Sequence, residues 1–192
     1  MFEGVYNDMA SAYDDTYTSP EHKAEDEMLF SFLRKKLHGS VLDIGSGTGL
    51  LLENIDIPPE NYVGVDTAEK LVAVSEEKFP KHMFFNLDFD QCEMNGKFDS
   101  IVCLYGAFSY LNPDSYDKII SSLNEGGYAL VMMYAPNYSP HYYTDDMTEQ
   151  VHNNIDYEKV NALFPHSILW QNKYVVASNQ PIDLEDIKGE DI

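Results

Sequence analysis

Apolar residues recur along the chain in two textures. Met28, Leu29, Phe32, Leu33 and Leu37 fall at helical spacing and predict one amphipathic helix. Ser19-Pro20-Glu21 supplies its start: a hydroxyl cap, a proline in the first turn and an acid behind it. Arg34, Lys35 and Lys36 fall in its last turn, where the helix dipole favours cations, and Gly39 ends it. Upstream, residues 6–17 predict a weaker helix or lid rich in Tyr and Asp. From Ser40 the texture changes to short apolar runs separated by helical ones. Runs at 41–44, 62–65, 83–87, 100–104 and 128–134 read as buried strands. Between them lie a short helix through Asn54, a helix at 68–79 stopped by Pro80, and one from Asn112-Pro113 to about Leu123, which Gly126-Gly127 turns into the fifth strand. This alternation predicts right-handed crossovers and a mostly parallel sheet covered on both faces.

Beyond Tyr134 the rhythm breaks. Residues 135–154 are polar, contain two prolines and show little period, so they form a candidate binding loop. A helix is expected at 156–163. The runs 167–170 and 174–177, split by Gln171-Asn172-Lys173, predict a closing hairpin. The tail from Pro181 is acidic and expected to fray.

A chain of 192 residues suffices for one sizeable core, so a single domain is expected over 1–192. No apolar run nears the roughly 18 residues that span a bilayer, and MFEGVYNDMASAYDD lacks the basic start and apolar centre of a secretory signal. Cys92 and Cys103 form no Cys-x-x-Cys, which argues against a disulfide framework or zinc knuckle. These features predict a cytoplasmic protein with no membrane partner. The charge changes the picture more: 33 acids against 12 Lys and Arg leave a net of −21. Such a surface repels phosphate backbones, so no nucleic-acid partner is expected, and it attracts cationic ligands. A solubility role remains the simpler reading of the excess.

The candidate chemistry lies in VLDIGSGTGLL, residues 41–51. A loop that leaves a strand and enters a helix presents bare N–H groups, and glycine lets a ligand approach them. A P-loop would need a lysine after the glycines, and none follows. A dinucleotide fingerprint would need Gly-x-Gly-x-x-Gly, but the sixth place holds Leu50, and Asp43 would set a negative charge near a pyrophosphate. A ligand without phosphate and with positive charge suits the acid better.

VLDIGSGTGLL resembles the first motif of class I S-adenosylmethionine-dependent methyltransferases of the small-molecule type. VGVDTAEKL (63–71) resembles their second motif, FNLDFD (85–90) the end of the third strand, FDSIVCLYGAFSYL (98–111) the fourth strand and its loop, and LNEGGYALVMMY (123–134) the turn into strand five. YNDMASAYDDTY (6–17) resembles an N-terminal cap in which a tyrosine lies over the cofactor. The resemblance implies a Rossmann-like, doubly wound α/β fold with a mostly parallel seven-stranded sheet and one antiparallel strand near the C-terminus. It implies S-adenosylmethionine as cofactor and S-adenosylhomocysteine as product. Residues 39–134 would then form the cofactor-binding core. Gly45, Ser46, Gly47, Thr48 and Gly49 would cradle the methionine end, with Asp43 reading its ammonium directly or through water. Asp66 would grip both ribose hydroxyls beside Thr67 and Leu71, Asp88 would accept from the adenine amino group between Leu87 and Phe89, and Leu104 and Tyr13 would complete the cleft. The rival role for Asp66 is a helix cap.

Methyl transfer is a direct displacement, so the protein must align the reactants and exclude water. Leu104-Tyr105-Gly106-Ala107 carries neither the Asn/Asp-Pro-Pro-aromatic run of nucleic-acid amino-methyltransferases nor the acid of the metal-dependent catechol type. A small-molecule N or O acceptor is therefore expected, without a metal. Tyr17, Tyr105, Phe108, His141 and Tyr142 are candidate acceptor-site residues, and Tyr13, Tyr105 and His141 candidate catalytic groups. The cap (Tyr6, Tyr13, Tyr17) and the 135–154 segment (Tyr138, Tyr142, Tyr143) are tyrosine-rich, and such rings attract a sulfonium or an amine. A non-catalytic S-adenosylmethionine-binding partner or sensor is the alternative.

Overall fold

The N-terminal stretch is helical in the computed structural model, which describes residues 2–94, 96–140, 142–182 and 187. It forms α1 (Phe2–Met9), a 3-10 turn at Ala10–Ala12, and α2 (Tyr13–Thr16). Ser19 then starts α3 (Pro20–Lys36), its Oγ accepting from the His22 N–H at 3.2 Å, and the helix buries Leu29, Phe30, Phe32 and Leu33. The alternating part follows as β1 (Val41–Ile44), α4 (Leu50–Asn54), β2 (Tyr62–Asp66), α5 (Glu69–Lys78), β3 (Met83–Asn86), β4 (Phe98–Cys103), α6 (Tyr116–Ser121) and β5 (Leu123–Tyr134). The chain ends its described part with α7 (Asp145–Asn153), α8 (Tyr157–Leu163), β6 (His166–Trp170) and β7 (Tyr174–Ser178).

Among the described residues, seven strands form one sheet in the order β3-β2-β1-β4-β5-β7-β6. The pairs β3–β2, β2–β1, β1–β4 and β4–β5 are parallel, while β7 runs antiparallel to both β5 and β6. Strand β7 is thus the one reversed strand of the sheet, as the hairpin implied. The order of connection reverses between β1 and β4, which opens a crevice beyond their carboxyl ends, the usual ligand site of such sheets.

Alternation along the central strands explains why both faces are covered. Tyr128, Leu130, Met132 and Tyr134 of β5 join one buried cluster, together with Val41, Val102 and the apolar face of α3. Ala129, Val131 and Met133 join the other, with Leu42, Ile44, Ile101, Cys103, Ile119 of α6 and Val160 of α8. Successive side chains point to opposite faces of a strand, so each strand feeds two cores. Among the described residues no helix is long and apolar enough to cross a membrane.

Several expectations need correction. The 135–154 segment is not all loop: Thr144 accepts from the Met147 N–H and caps α7, which buries Met147 and Val151. Strand β5 begins at Leu123, ahead of the diglycine, because Leu123 pairs with Phe98 across a register shift. The helix expected from residue 112 opens as a 3-10 turn, Pro113–Ser115, before α6. Most of the acidic tail, 183–186 and 188–192, lies outside the described residues.

Phe32 is fully buried between α3 and the sheet. Phe32→Ala is expected to lower the free energy of unfolding by about 3–5 kcal/mol. Urea denaturation should show this as a lower midpoint with an unchanged slope; a loss below about 1 kcal/mol would mean that α3 adds little to this core.

Candidate active site

At the carboxyl ends of β1 and β2 the loop after Ile44 is tied to its neighbour by backbone: the Gly45 and Ser46 N–H groups both donate to Val65 O, at 2.8 and 3.1 Å. Gly47 sits at φ +54, a left-handed conformation glycine favours, and a Cβ there would meet nothing within 4 Å. Its N–H donates to Asp66 Oδ2 at 2.8 Å, while the Ala68 N–H donates to Asp66 Oδ1 at 2.8 Å. Burial raises the Asp66 carboxyl and these N–H donors oppose the rise. A carboxylate offers about four lone-pair sites, so two remain for a ligand. Asp66 thus ties the glycine loop to the backbone just ahead of α5, whose N-cap is Ala68, and also lines the cleft.

Asp43 is 3% exposed and lies on the cleft floor, where its Oδ2 accepts from the Tyr62 hydroxyl at 2.9 Å. Burial pushes its carboxyl up to about 7, against the pull of Tyr62, and the nearby Asp66 adds to the rise. Just after β3, each Asp88 oxygen accepts one bond from its own turn, from Asp90 N at 2.9 Å and Gln91 Nε2 at 2.6 Å. Asp90 accepts from Asn112 N through Oδ2 at 2.9 Å, and its buried Oδ1 has no partner among the described residues. The Ser46 Oγ is likewise buried and unpartnered. Thr67, Leu71, Leu87, Phe89 and Leu104 also line this cleft of about 190 Å³, as do Thr48 and Tyr13. No lysine, arginine or histidine is among the described residues that line it. The floor is a set of acceptors, fitted to a ligand that brings donors and positive charge. Gly49 does not reach the cleft. It packs on Phe79 and Phe84 and precedes α4.

The cap lies across this floor. Asp14 accepts from Thr48 Oγ1 at 2.6 Å and pairs with Lys78 at 3.0 Å, and Asn7 accepts from the Lys70 N–H at 2.9 Å. Ala10, Ala68 and Leu71 form a small apolar cluster against Tyr6 and Tyr13. Beyond the cap tyrosines is a second cavity of about 110 Å³, whose wall shares Tyr6, Tyr13, Leu50 and Tyr105 with the first. Tyr105 is held at φ +48, an uncommon conformation for a side-chain-bearing residue, and Gly106 follows at φ +86. A Cβ on Gly106 would fall 2.4 Å from the Tyr134 ring, so glycine is required there.

Of the acceptor-site candidates, Tyr17, Tyr105 and Tyr142 line the second cavity, with the Tyr17 and Tyr142 hydroxyls 3.2 Å apart. Phe108 lines neither cavity. It is fully buried on the opposite sheet face against Tyr116 and Phe164, because the 3-10 turn at Ala107–Tyr110 directs it inward. His141 lies outside the described residues. Burial raises the Tyr13 and Tyr105 phenols well above their ordinary range, so near neutral pH both contribute ring faces and hydroxyl donors rather than a base. Residues not foreseen are Asp90 in the cleft and His22, Glu25, Asp26, Tyr134, Lys173 and Tyr174 in the second cavity.

A family model described as a methyltransferase domain matches residues 17–173, and the chain belongs to that family. An uncharacterized methyltransferase of Bacillus mycoides (strain KBAB4) is 27% identical over 136 residues, which are 66% of this chain and 64% of its own length. The chain thus spans about 64% of the length of the curated relatives it matches. The DhpI–SAH complex aligns with a TM-score of 0.63 at 15% identity, covering 93% of this chain and 94% of that one. SAM-bound CalS10, an amino pentose methyltransferase from Micromonospora echinaspora, aligns at 0.51 and 21% identity over 70% of this chain and 58% of its own. At these identities the likeness to the solved structures is one of fold.

Two outcomes follow from the acceptor-rich floor. Because burial lifts Asp43 above its unfolded pKa, its contribution to stability is full below the unfolded value and is lost as pH rises through about 7. A ligand ammonium needs the ionised form, so affinity for S-adenosylhomocysteine should strengthen by about tenfold from pH 6 to 8. Asp43→Asn should flatten that dependence in calorimetric titration; an equally steep profile in the variant would remove Asp43 from the ammonium role. Secondly, Asp90→Asn should weaken S-adenosylhomocysteine more than Asp88→Asn, since the unpartnered acceptor belongs to Asp90. The reverse order would restore Asp88 as the main adenine contact.

Proposed function

We propose that the chain is an S-adenosylmethionine-dependent methyltransferase acting on a nitrogen or oxygen atom of a small molecule. It would work in the cytoplasm, where its thiols Cys92 and Cys103 stay unpaired, as a single domain. Within it, residues 39–134 hold the cofactor and 135–154 shape the acceptor side. S-adenosylmethionine, when bound, supplies a methyl carbon activated by sulfonium. Asp66, Asp43 and the 45–48 loop bind and orient it. Tyr6 and Tyr13, packed on Leu71, exclude water.

The observation that carries this reading is the shared wall. Two cavities meet at Tyr6, Tyr13, Leu50 and Tyr105, an arrangement that would suit two ligands side by side. A sensor that binds S-adenosylmethionine alone has no use for the second cavity; a transferase needs both. Support also comes from the family, from DhpI, solved with SAH, and from CalS10, whose acceptor is an amino pentose.

Asp66→Asn provides the test. Hydrogen bonds to a charged group contribute about 1.5–3 kcal/mol each, so the variant should bind S-adenosylhomocysteine at least about tenfold more weakly. A role confined to the Gly47 and Ala68 N–H groups predicts instead that Asp66→Asn lowers the melting temperature of the ligand-free protein, since its amide must face one of those two donors, with no loss of binding beyond that. Binding within about twofold of the parent would refute the ribose assignment. A parent protein that binds S-adenosylhomocysteine yet releases none from S-adenosylmethionine across amines, alcohols and carboxylates would favour the sensor.

A further inference from the structure

The wall of the second cavity is largely tyrosine, including Tyr13, Tyr17, Tyr105 and Tyr174. Neighbouring rings meet edge to face: Tyr13 and Tyr17 at 5.3 Å, Tyr105 and Tyr174 at 5.8 Å between centroids. Burial raises all four phenols, so the wall keeps its hydroxyl protons near neutral pH and offers electron-rich faces without a charge. Two carboxylates enter from adjacent positions of α3. Glu25, 5% exposed, is met by Lys173 Nζ at 2.5 Å, and Glu21 stands 3.5 Å from the same ammonium. Asp26, half-buried, accepts from the Tyr105 hydroxyl through Oδ1. Among the described residues no lysine or arginine pairs with it; burial raises its carboxyl, and the Tyr105 hydroxyl and then His22, one turn earlier, oppose that rise. The cavity therefore holds one carboxylate without a fixed counter-charge, surrounded by ring faces. An alcohol placed there would leave that charge uncompensated. A cation satisfies both the carboxylate and the rings.

We propose that the methyl acceptor is a small primary or secondary amine, caught in this cavity as its ammonium by Asp26 and the tyrosine faces, with Asp26 taking its proton before transfer. The inference rests on the methyltransferase reading and narrows it to nitrogen. The proton moves from the ammonium to Asp26, whose Oδ2 is left by the Tyr105 contact on Oδ1. The freed nitrogen lone pair forms a bond to the sulfonium methyl as the carbon–sulfur bond breaks, and that bond's electron pair stays on sulfur. The products are an N-methylated ammonium, S-adenosylhomocysteine and a protonated Asp26, which returns its proton to solvent. Burial raises the Asp26 carboxyl, which makes it a better acceptor for that proton. Tyr105 is a positioning residue here, fixing one carboxylate oxygen from the shared wall. The net charge of −21 adds a long-range attraction for cations.

Asp26→Asn tests this while keeping an oxygen for the Tyr105 hydroxyl. The binding probes are butylamine and 1-butanol, alike in size and different in charge, titrated into the protein saturated with S-adenosylhomocysteine. Turnover is read as S-adenosylhomocysteine release from S-adenosylmethionine with short primary and secondary amines and their alcohol counterparts. Butylamine should bind about tenfold or more tightly than 1-butanol in the parent. Asp26→Asn should erase that preference and lower amine turnover by about tenfold or more, with S-adenosylhomocysteine affinity within about twofold of the parent, which also reports that the variant is folded. Amine kcat/KM should rise with pH in the parent and lose its Asp26 limb in the variant. Equal binding of the two probes, alcohols methylated as fast as amines, or unchanged amine turnover in Asp26→Asn would each overturn the amine site. A parent that binds S-adenosylhomocysteine but neither binds nor methylates the amines sinks this inference alone. A parent that binds no S-adenosylhomocysteine sinks the methyltransferase reading beneath it.

Discussion

The floor of the cleft holds more hydrogen-bond acceptors than the chain supplies with donors, and much of the surrounding structure serves to keep them there. A buried carboxylate without partners is strongly unfavourable. Asp43 is tolerated because Tyr62 reaches it from β2, and Asp66 because two backbone N–H groups reach it from the glycine loop and the start of α5. Those partners reduce the cost of burial without exhausting the oxygens. Among the described residues, Ser46 Oγ and Asp90 Oδ1 are left with none. Phosphate has no place on such a floor, since it would add acceptors and negative charge to acceptors and negative charge. Ammonium, ribose hydroxyls and an exocyclic amine fit it.

The sheet order determines where that floor can form. Reversal between β1 and β4 leaves their carboxyl ends without a crossing connection, so the loop at 45–49 and the turn at 104–107 face a common space. Strand alternation assigns Leu104 and Tyr134 to the face shared with α3, which brings Tyr105, Asp26 and Tyr174 to one side of the opening. The left-handed pair Tyr105-Gly106 turns the chain sharply there, and the Tyr134 ring fills the space a Cβ on Gly106 would need. Local strain of this kind persists only where the packing around it is fixed, and β5, an interior strand between β4 and β7, supplies that packing.

The cofactor side was legible because its chemistry is local. A strand, a glycine loop and an acid about twenty residues on are close in sequence, so Asp43, Gly47 and Asp66 could be named before their contacts were known. Of the second cavity, Tyr17, Tyr105 and Tyr142 were named, but Asp26 of α3 and Lys173 of the last hairpin were not, because that cavity assembles from distant parts of the chain. On α3, helical spacing marked Leu29 and Leu33 as core. It could not say that Asp26, among the polar positions, would face a cavity rather than solvent, since the elements that enclose it come later in the chain. Helix α7 was missed because its buried apolar side chains, Met147 and Val151, make only one helical step. The Thr144-Asp145-Asp146 start was a signal that could have found it. Phe108 was misplaced for the opposite reason: its neighbours in sequence line the site, but a 3-10 turn rotates its ring into the far core.

The two sides of the cap are held by different forces. Over the cofactor loop the cap is anchored by a carboxylate: Asp14 takes a hydrogen bond from Thr48 and pairs with Lys78, which also contacts Glu53. Over the second cavity it is held by hydroxyls: the Tyr142 oxygen lies 3.2 Å from that of Tyr17 and 3.5 Å from that of Tyr6. Contacts between neutral hydroxyls net about 0.5–1.5 kcal/mol each, because water replaces them well. Hydrogen bonds to a charged carboxylate are stronger. The acceptor side is therefore the weaker seal. If the second cavity takes an amine as proposed, acceptor and product would exchange past the tyrosine hydroxyls while Asp14 keeps the cap on the 45–48 loop, an order that suits a product that is still a cation and must leave the ring faces that attracted it.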